Sequence, residues 1–233
     1  MIQRNVVRNL LVIILVATLY GCASPKPVMY QGVPSTTYLK QNTDTGDKNL
    51  PYVYEIHKNF IKYDKMIIAP VTIYRDKDSQ FGDMAEKDKM TLVTYAQAQF
   101  TEKMKSKFQI TTLPGPTTLI LKVILTGAET STPVLSTLSR LDLGGGLYNG
   151  VQSIRGGEGS FTGAIFYVVE IYDSSTSKLL SAYIAKEYPN SMNIAASLGS
   201  LTAAKVGIEK GAEKLAKQLQ QTKSGTTASQ RMP

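Results

Sequence analysis

Residues 117–126 read TTLILKVILT, and this nearly continuous apolar run decides the fold class. Successive side chains of a strand point to opposite faces of a sheet. One face of this run would carry Leu119, Leu121, Val123 and Leu125, and the other would carry Ile120, Lys122 and Ile124. A run that is apolar on both faces is typical of a strand inside a sheet that is covered on both faces. We therefore expect residues 117–126 to form a central strand.

Three further runs predict strands around this one. Residues 65–74 (KMIIAPVTIY) are apolar and rich in β-branched side chains, which is typical of a buried strand, and Pro70 within them indicates an edge position or a bulge. Residues 161–173 and 178–187 show the same character. The polar turn Ser174–Ser177 between them predicts a hairpin.

Two segments show helical periodicity. In the first, 83–108, Asp83 and Glu86 have capping-box spacing, and one apolar stripe comprises Leu92, Val93, Ala96, Phe100, Met104 and Phe108. In the second, about 193–220, the stripe comprises Ile194, Leu198, Leu201, Ala204, Ile208, Ala212, Leu215 and Leu219. Gly199, Gly207 and Gly211 weaken this helix, and they indicate either a close approach to the sheet or a break near Gly199.

These elements predict an α+β fold, a mainly antiparallel sheet with two amphipathic helices packed on one face. We expect a single domain over residues 51–221 with a glycine-rich insertion at about 131–160. Residues 22–50 are mostly polar and predict a flexible tether, whose tyrosines, among them Tyr30 and Tyr38, could clamp onto the domain. Residues 222–233 lack apolar periodicity and predict a disordered tail.

The amino terminus has the layout of a signal peptide. A segment with two arginines and no acidic residue precedes the apolar stretch 10–20, which is too short for a lasting transmembrane helix. Leu19-Tyr20-Gly21-Cys22 then resembles a bacterial lipobox, although a smaller residue is usual at the position of Tyr20. We expect cleavage between Gly21 and Cys22, removal of residues 1–21, and lipidation of Cys22.

Lipidation would account for the only cysteine of the chain and remove it as a nucleophile. Ala23, rather than Asp, follows Cys22, and by resemblance to enterobacterial sorting rules this favours an outer-membrane lipid anchor on the periplasmic side. The chain carries 26 Lys and Arg against 18 Asp and Glu, a net charge of +8. Removal of Arg4 and Arg8 with the signal peptide would leave +6.

Eight of the 18 glycines lie in residues 144–163. A phosphate-binding loop is excluded because no Gly-Lys-Ser or Gly-Lys-Thr follows and the spacing fits no nucleotide fingerprint. We expect a mobile surface connection. A sharper hypothesis is an exposed flap that buries its apolar side chains in a partner or in the membrane interface, with Val134, Leu135, Leu138 and Leu141 as its contacts. The alternative is that these side chains fold onto the domain's own core.

No set of residues predicts catalysis, a metal site or a cofactor. His57 is the only histidine and no serine lies in a nucleophile elbow, so we expect no enzyme. Lysines on both helices could meet lipid head groups or peptidoglycan carboxylates, but interspersed glutamates also fit a solvated helix face. An exported chain without a stacking platform is not expected to bind nucleic acid.

Three sets of residues resemble the signatures of the domain-of-unknown-function family numbered 3313, a set of proteobacterial lipoproteins. They are Tyr63-Asp64-Lys65 with Ala69-Pro70-Val71, then Glu129-Thr130 with Pro133-Val134-Leu135, then Asp173-Ser174 with Thr176 and Leu180. The resemblance covers Tyr52–Leu219 and departs from the family at Ser177, where a glycine is common. It implies an envelope location and lipidation, and it implies no known activity.

Two functions remain open at this point. The first is a lipid-anchored, non-enzymatic binding or scaffolding protein whose partner is an envelope protein or a wall component. The second is a self-assembling subunit of an envelope export or pore complex, which would be a homo-oligomer.

Overall fold

The computed structural model describes residues 25–43, 46–56, 58–130, 163–190 and 199–223. Three long strands form the centre of the sheet: β6 (Thr118–Glu129), β7 (Ala164–Asp173) and β8 (Leu179–Glu187). Five short strands extend it, namely β1 (Lys40–Gln41), β2 (Tyr52–Tyr54), β3 (Lys65–Ile68), β4 (Thr72–Ile73) and β5 (Gln109–Ile110). The strand predicted at 117–126 is central, as expected, since β6 lies between β7 and β3.

Among the described residues the sheet has the order β1-β2-β8-β7-β6-β3-β5, with β4 also paired to β6. The pairs from β1 to β6 along this order are antiparallel, whereas β3 and β4 run parallel to β6 and β5 runs parallel to β3. β5 and β6 can run parallel to β3 and β4 because a helix between β4 and β5 returns the chain to the starting end of the sheet. Parallel strands need such a crossover. The predicted α+β class with a mainly antiparallel sheet is confirmed.

Two helices, α1 (Glu86–Lys105) and α2 (Thr202–Lys223), contact each other and cover one face of the sheet. The buried side of α1 is Leu92, Ala96, Phe100 and Met104, which is the predicted stripe at a spacing of four residues. From α2 the same core receives Ala204, Ile208, Ala212, Leu215 and Leu219. The predicted packing of both helices on one face is therefore confirmed.

The start of α1 differs from the predicted capping box. Ala85 is the N-cap residue and makes no side-chain cap, and Asp83 lies outside the helix. Glu86 forms an ion pair with Arg75 from the preceding loop. That external partner replaces the reciprocal bond of a capping box. The acidic side chains of Glu86 and Asp88 still lie in the first turn, where the helix dipole favours them.

The predicted strand at 65–74 is interrupted where Pro70 stands. Because proline has no N–H to donate to a sheet, β3 ends at Ile68 and pairing with β6 resumes in β4. Gln97 of α1 accepts the N–H of Val71 through Oε1 at 2.8 Å. The N–H of Val71 is therefore hydrogen-bonded although the strand is interrupted at this point.

The second face of the sheet is covered by residues 25–39, which we call the strap. Tyr30 is fully buried, and Val33 and Leu39 are also buried, in a cluster with Tyr74, Val168, Ala182 and Ile184. A 3-10 helix spans Pro34–Thr37. This part of the tether predicted for residues 22–50 packs against the sheet through three apolar side chains and Pro27, which is the docking considered for its tyrosines in the case of Tyr30.

The three long strands define two ends of the sheet, which we call the hairpin end and the open end. At the hairpin end, β7 turns into β8 at Asp173 and β6 begins opposite. At the open end lie Glu129, Ala164 and Glu187, the residues where β6 ends, β7 begins and β8 ends. The predicted insertion at 131–160 joins the domain at this open end and lies outside the described residues, as does the tail beyond Lys223.

Candidate functional site

Asp173 closes the hairpin between β7 and β8. It is the last residue of β7 and only 4% exposed. Its Oδ1 accepts hydrogen bonds from the backbone N of Ser175 and of Thr176, both at 3.0 Å, and from Oγ of Ser175 at 2.6 Å. This pattern is an Asx turn, in which a carboxylate replaces a backbone acceptor.

The other carboxylate oxygen ties the hairpin to the loop before β3. Oδ2 of Asp173 accepts a hydrogen bond from the Tyr63 hydroxyl at 2.7 Å and one from Nζ of Lys62 at 3.3 Å. The hydrogen bonds from Ser175 and Tyr63 hold the pKa of Asp173 well below its usual range. Tyr63 and Asp173 in turn raise the pKa of Lys62. Since five donors already occupy this carboxylate, it has no free lone pair for proton transfer or metal binding.

A groove with a volume of about 470 Å³ lies beside this corner. Its lining contains three cations and one carboxylate, together with apolar side chains: Lys58, Asn59, Ile61, Lys62, Tyr63, Asp173, Thr176, Lys178 and Leu180. Within the described residues Lys62 pairs with Asp173, whereas Lys58 and Lys178 form no ion pair. Ile61 is 56% exposed. The groove can receive an anionic group and an adjoining apolar one.

A second polar cluster lies at the open end and is centred on Glu187, which is 1% exposed. Its carboxylate pairs with Nζ of Lys214 at 2.6 Å and of Lys210 at 3.7 Å, both from α2. Asn49 donates a hydrogen bond to it at 3.4 Å. Burial raises the pKa of Glu187, and the two lysines, Lys214 first, act against that rise. The cluster holds α2 and the loop before β2 against the end of β8.

The site residues predicted from the sequence lie outside the described residues. These are Gly21 and Cys22 at the cleavage and lipidation site, and the flap residues Val134, Leu135, Leu138 and Leu141. His57, which the sequence analysis did not assign to a site, also lies outside them. In the described ranges no group of three or more His, Cys, Asp or Glu side chains could hold a metal ion. No helix of that part of the chain is long and apolar enough to cross a membrane.

The sequence prediction missed the groove. Its lysines come from the loop before β3 and from the turn before β8, more than 100 residues apart, so no local pattern joins them. One signal did exist: Tyr63 and Asp173, with Thr176 and Leu180, belong to the family signatures quoted above. The structure brings these separate signatures into contact at one corner.

Sheet, helices, strap and groove together define an α+β protein whose described polar clusters hold its elements together. The chain belongs to the family of proteins of unknown function DUF3313, whose model matches residues 29–215. The predicted family membership is thereby confirmed. The match begins inside the strap, earlier than the predicted start at Tyr52, and so includes residues 29–39 of the strap in the family domain.

Comparisons with other known proteins add distant similarities only. No curated protein matched this chain. Among solved structures, a variant PelC dodecamer from Paraburkholderia phytofirmans is 12% identical, with a TM-score of 0.35, over 66% of this chain and 88% of that chain. A second PelC dodecamer from the same organism is 11% identical, with a TM-score of 0.33, over 65% of this chain and 88% of that chain.

Proposed function

We propose that the protein is a non-enzymatic lipoprotein of the cell envelope, anchored at Cys22 to the outer membrane, which binds an acidic segment of an envelope partner in the groove. The partner would be a protein or a wall component that carries carboxylates or phosphates. The observation that carries this proposal is the set of three lysines around a carboxylate whose hydrogen-bonding capacity is already used.

The charge and lining of the groove support binding rather than chemistry. Lys58 and Lys178 form no ion pair within the described residues and line the same groove as Lys62 and Asp173. An exposed lysine contributes little alone, but several around one groove raise the local concentration of an anionic partner. Ile61 adds an apolar contact at the same place. A side chain with both a charge and an aliphatic part fits this lining.

Photo-crosslinking in intact cells tests the binding. A photoreactive residue replaces Ile61 in the full chain, and adducts are compared in the original background, in K58E/K178E and in K87E/K105E. The last variant makes the same change of net charge at exposed positions of α1. We expect one specific adduct that falls at least tenfold only in K58E/K178E. An adduct that is equally strong in all three backgrounds, or no adduct at all, would refute the groove as the binding site.

The lipid anchor is tested separately. Three acyl chains on a mature amino terminus hold it firmly in a bilayer, since each buried methylene contributes about 0.8 kcal/mol. Mass measurement of the mature amino terminus should find Cys22 acylated. Cys22→Ser should lose lipid labelling and remain as the unprocessed precursor, and normal processing of that variant would contradict the anchor.

The alternative function, a self-assembling subunit of an export or pore complex, stays a prediction. In that case the predicted flap at Val134, Leu135, Leu138 and Leu141 would contribute to assembly or insertion. Native mass measurement of detergent-extracted protein separates the two functions, because a strict monomer excludes a ring subunit.

A further inference from the structure

We propose that the open end of the sheet faces the bilayer at a short, fixed distance and that the groove points away from it. This inference rests on the lipid anchor at Cys22 proposed above. It concerns a surface, the exposed part of the open end around Lys26, Val28 and Lys48, and its partner is the phospholipid bilayer that carries the anchor.

The first step is that the chain is held by the domain from Pro25 onward. Nζ of Lys186 donates a hydrogen bond to the carbonyl oxygen of Pro25 at 2.8 Å. The Lys186 side chain is 8% exposed, forms an ion pair with Glu129 at 3.5 Å and lies over the ring of Phe166. These contacts fix the position of the Lys186 ammonium group, so its hydrogen bond to Pro25 attaches the chain to the domain at that residue.

The next contacts continue the attachment. The carbonyl oxygen of Lys26 accepts a hydrogen bond from Nε2 of Gln80 at 3.0 Å, and Pro27 is buried. Oε1 of Gln80 in turn accepts a hydrogen bond from the Tyr30 hydroxyl at 2.6 Å. Because Glu129 and Phe166 belong to the open end, the strap begins at that end and runs toward Ser35, whose N–H donates to Glu170.

The second step is the length of the connection. Only Ala23 and Ser24 separate Cys22 from Pro25, and three Cα steps span at most about 11 Å. A free tether over the whole of residues 22–50 would instead give a mean separation of about 30 Å and no fixed orientation. An acylated Cys22 therefore holds the open end within about 11 Å of the lipid head groups.

The third step is the length of the sheet. β7 has ten residues and spans about 30 Å from Ala164 at the open end to Asp173 at the hairpin end. The groove beside Asp173 consequently lies at the opposite end of the sheet from the strap's first residue, about 30 Å away along β7. Lys26 and Lys48 are exposed near the open end, where lipid phosphates would attract them. The orientation presents the groove to partners in the periplasm rather than to the membrane.

Fluorescence quenching by a lipid-embedded spin label tests this orientation in reconstituted, lipidated protein. Cysteines are introduced singly at Val28 and at Thr176, which are exposed at the two ends, and are labelled after Cys22 has been acylated. We expect quenching at position 28 to exceed quenching at position 176 several-fold. Equal quenching at both positions, or stronger quenching at 176, would overturn the inference.

A variant with a longer linker tests whether the short connection between Cys22 and Pro25 causes the orientation. Ten Gly and Ser residues inserted between Ser24 and Pro25 should remove most of the difference between the two labels, because the domain can then tumble. An unchanged difference would contradict the role of the short connection. The mass of the amino terminus is measured first in every sample: an unmodified Cys22 refutes the proposed anchor, whereas an acylated Cys22 with no difference in quenching refutes the orientation alone.

Discussion

Asp173 shows how a single residue links a local turn to the tertiary structure. Its carboxylate accepts the N–H groups of its own turn through one oxygen and the side chains of Tyr63 and Lys62 through the other. The sequence contains the turn, but the partners at positions 62 and 63 are 110 residues away. Two signatures of the family therefore meet in one hydrogen-bonded corner.

The depressed pKa of Asp173 predicts a pH-dependent stability. An acid whose folded pKa lies below its unfolded value of about 3.9 stabilises the fold above that value, and the contribution is lost as the pH falls through the folded pKa. Asp173→Asn should therefore lower the free energy of unfolding by about 1 to 3 kcal/mol at pH 7, and by clearly less near pH 2. Urea unfolding at both pH values measures this. The exposed Asp83→Asn is the control, and an equal cost of D173N at both pH values would argue against the hydrogen bonds to the ionised carboxylate as the source of the stability.

Ser177 adopts φ +56°, in the left-handed region that favours glycine. The family resemblance implies a glycine at this position, and a serine there carries backbone strain. Ser177→Gly should raise the free energy of unfolding by about 0.5 to 1 kcal/mol, because a left-handed backbone costs other residues about 1 to 2 kcal/mol and the greater freedom of glycine in the unfolded chain offsets part of that gain. Thermal unfolding checks it, with Ser177→Ala expected to be neutral. A gain in the alanine variant would point to the hydroxyl rather than the backbone.

At the scale of elements, the approach of α2 to the sheet depends on two glycines. A Cβ at Gly207 would lie 2.7 Å from the carbonyl oxygen of Glu187, and one at Gly211 would overlap the hydroxyl of Tyr167. The sequence left open a close approach to the sheet or a break near Gly199. The structure shows α2 continuous across Gly207 and Gly211, so the close approach is confirmed there, and the helix begins at Thr202, after Gly199.

Gly211→Ala tests this contact. We expect the variant to lose about 1 to 3 kcal/mol of unfolding free energy, although alanine favours a helix, because the helix must move away from buried Tyr167. Chemical unfolding measures the loss, and the exposed Glu209→Ala on the same helix should change little. In the double variant G211A/Y167F part of the loss should return. If G211A is as stable as the original chain, the close packing shown here is not required.

At the scale of the whole molecule, the strap makes the domain three layers deep. The helices cover one face of the sheet and the strap covers the other, with Tyr30 at the centre of the second core. The ring of Tyr30 packs edge-on against Tyr74 at 5.3 Å between centroids. The first residues of the strap are also the ones that would connect the domain to a lipid anchor.

Tyr30→Ala should therefore destabilise the whole domain by about 3 to 5 kcal/mol, the usual cost of removing a fully buried aromatic side chain. Tyr38→Ala is the matched control, because Tyr38 belongs to the same strap but is half exposed. Its loss should stay below about 1 kcal/mol. Differential calorimetry of both variants measures the effect. Equal stability of the two variants would mean that the strap is not part of the folded domain.

The sequence by itself determined the three long strands, the two helices and the face on which the helices pack. These follow from local periodicity, since an apolar stripe at helical spacing or a run such as 117–126 restricts where a segment can be buried. The strand ends and the ends of α1 shifted by up to three residues, whereas α2 begins at Thr202 rather than at about 193. The capping box at Asp83 did not form, because the helix begins at Glu86 with Ala85 as its N-cap.

Only the tertiary structure decided the short strands, the strap and the groove. β1, β2 and β5 have two or three residues each and form because a neighbouring strand offers hydrogen bonds, and runs this short show no periodicity that predicts a strand. Tyr30, Val33 and Leu39 lie in a mostly polar segment without helical or strand periodicity, and they form a core only together with side chains of the sheet. One basic groove contains Lys58, Lys62 and Lys178 because Asp173 joins two segments that are distant in the sequence. Contacts between distant segments produce no periodic pattern in a sequence, so local patterns cannot predict this groove.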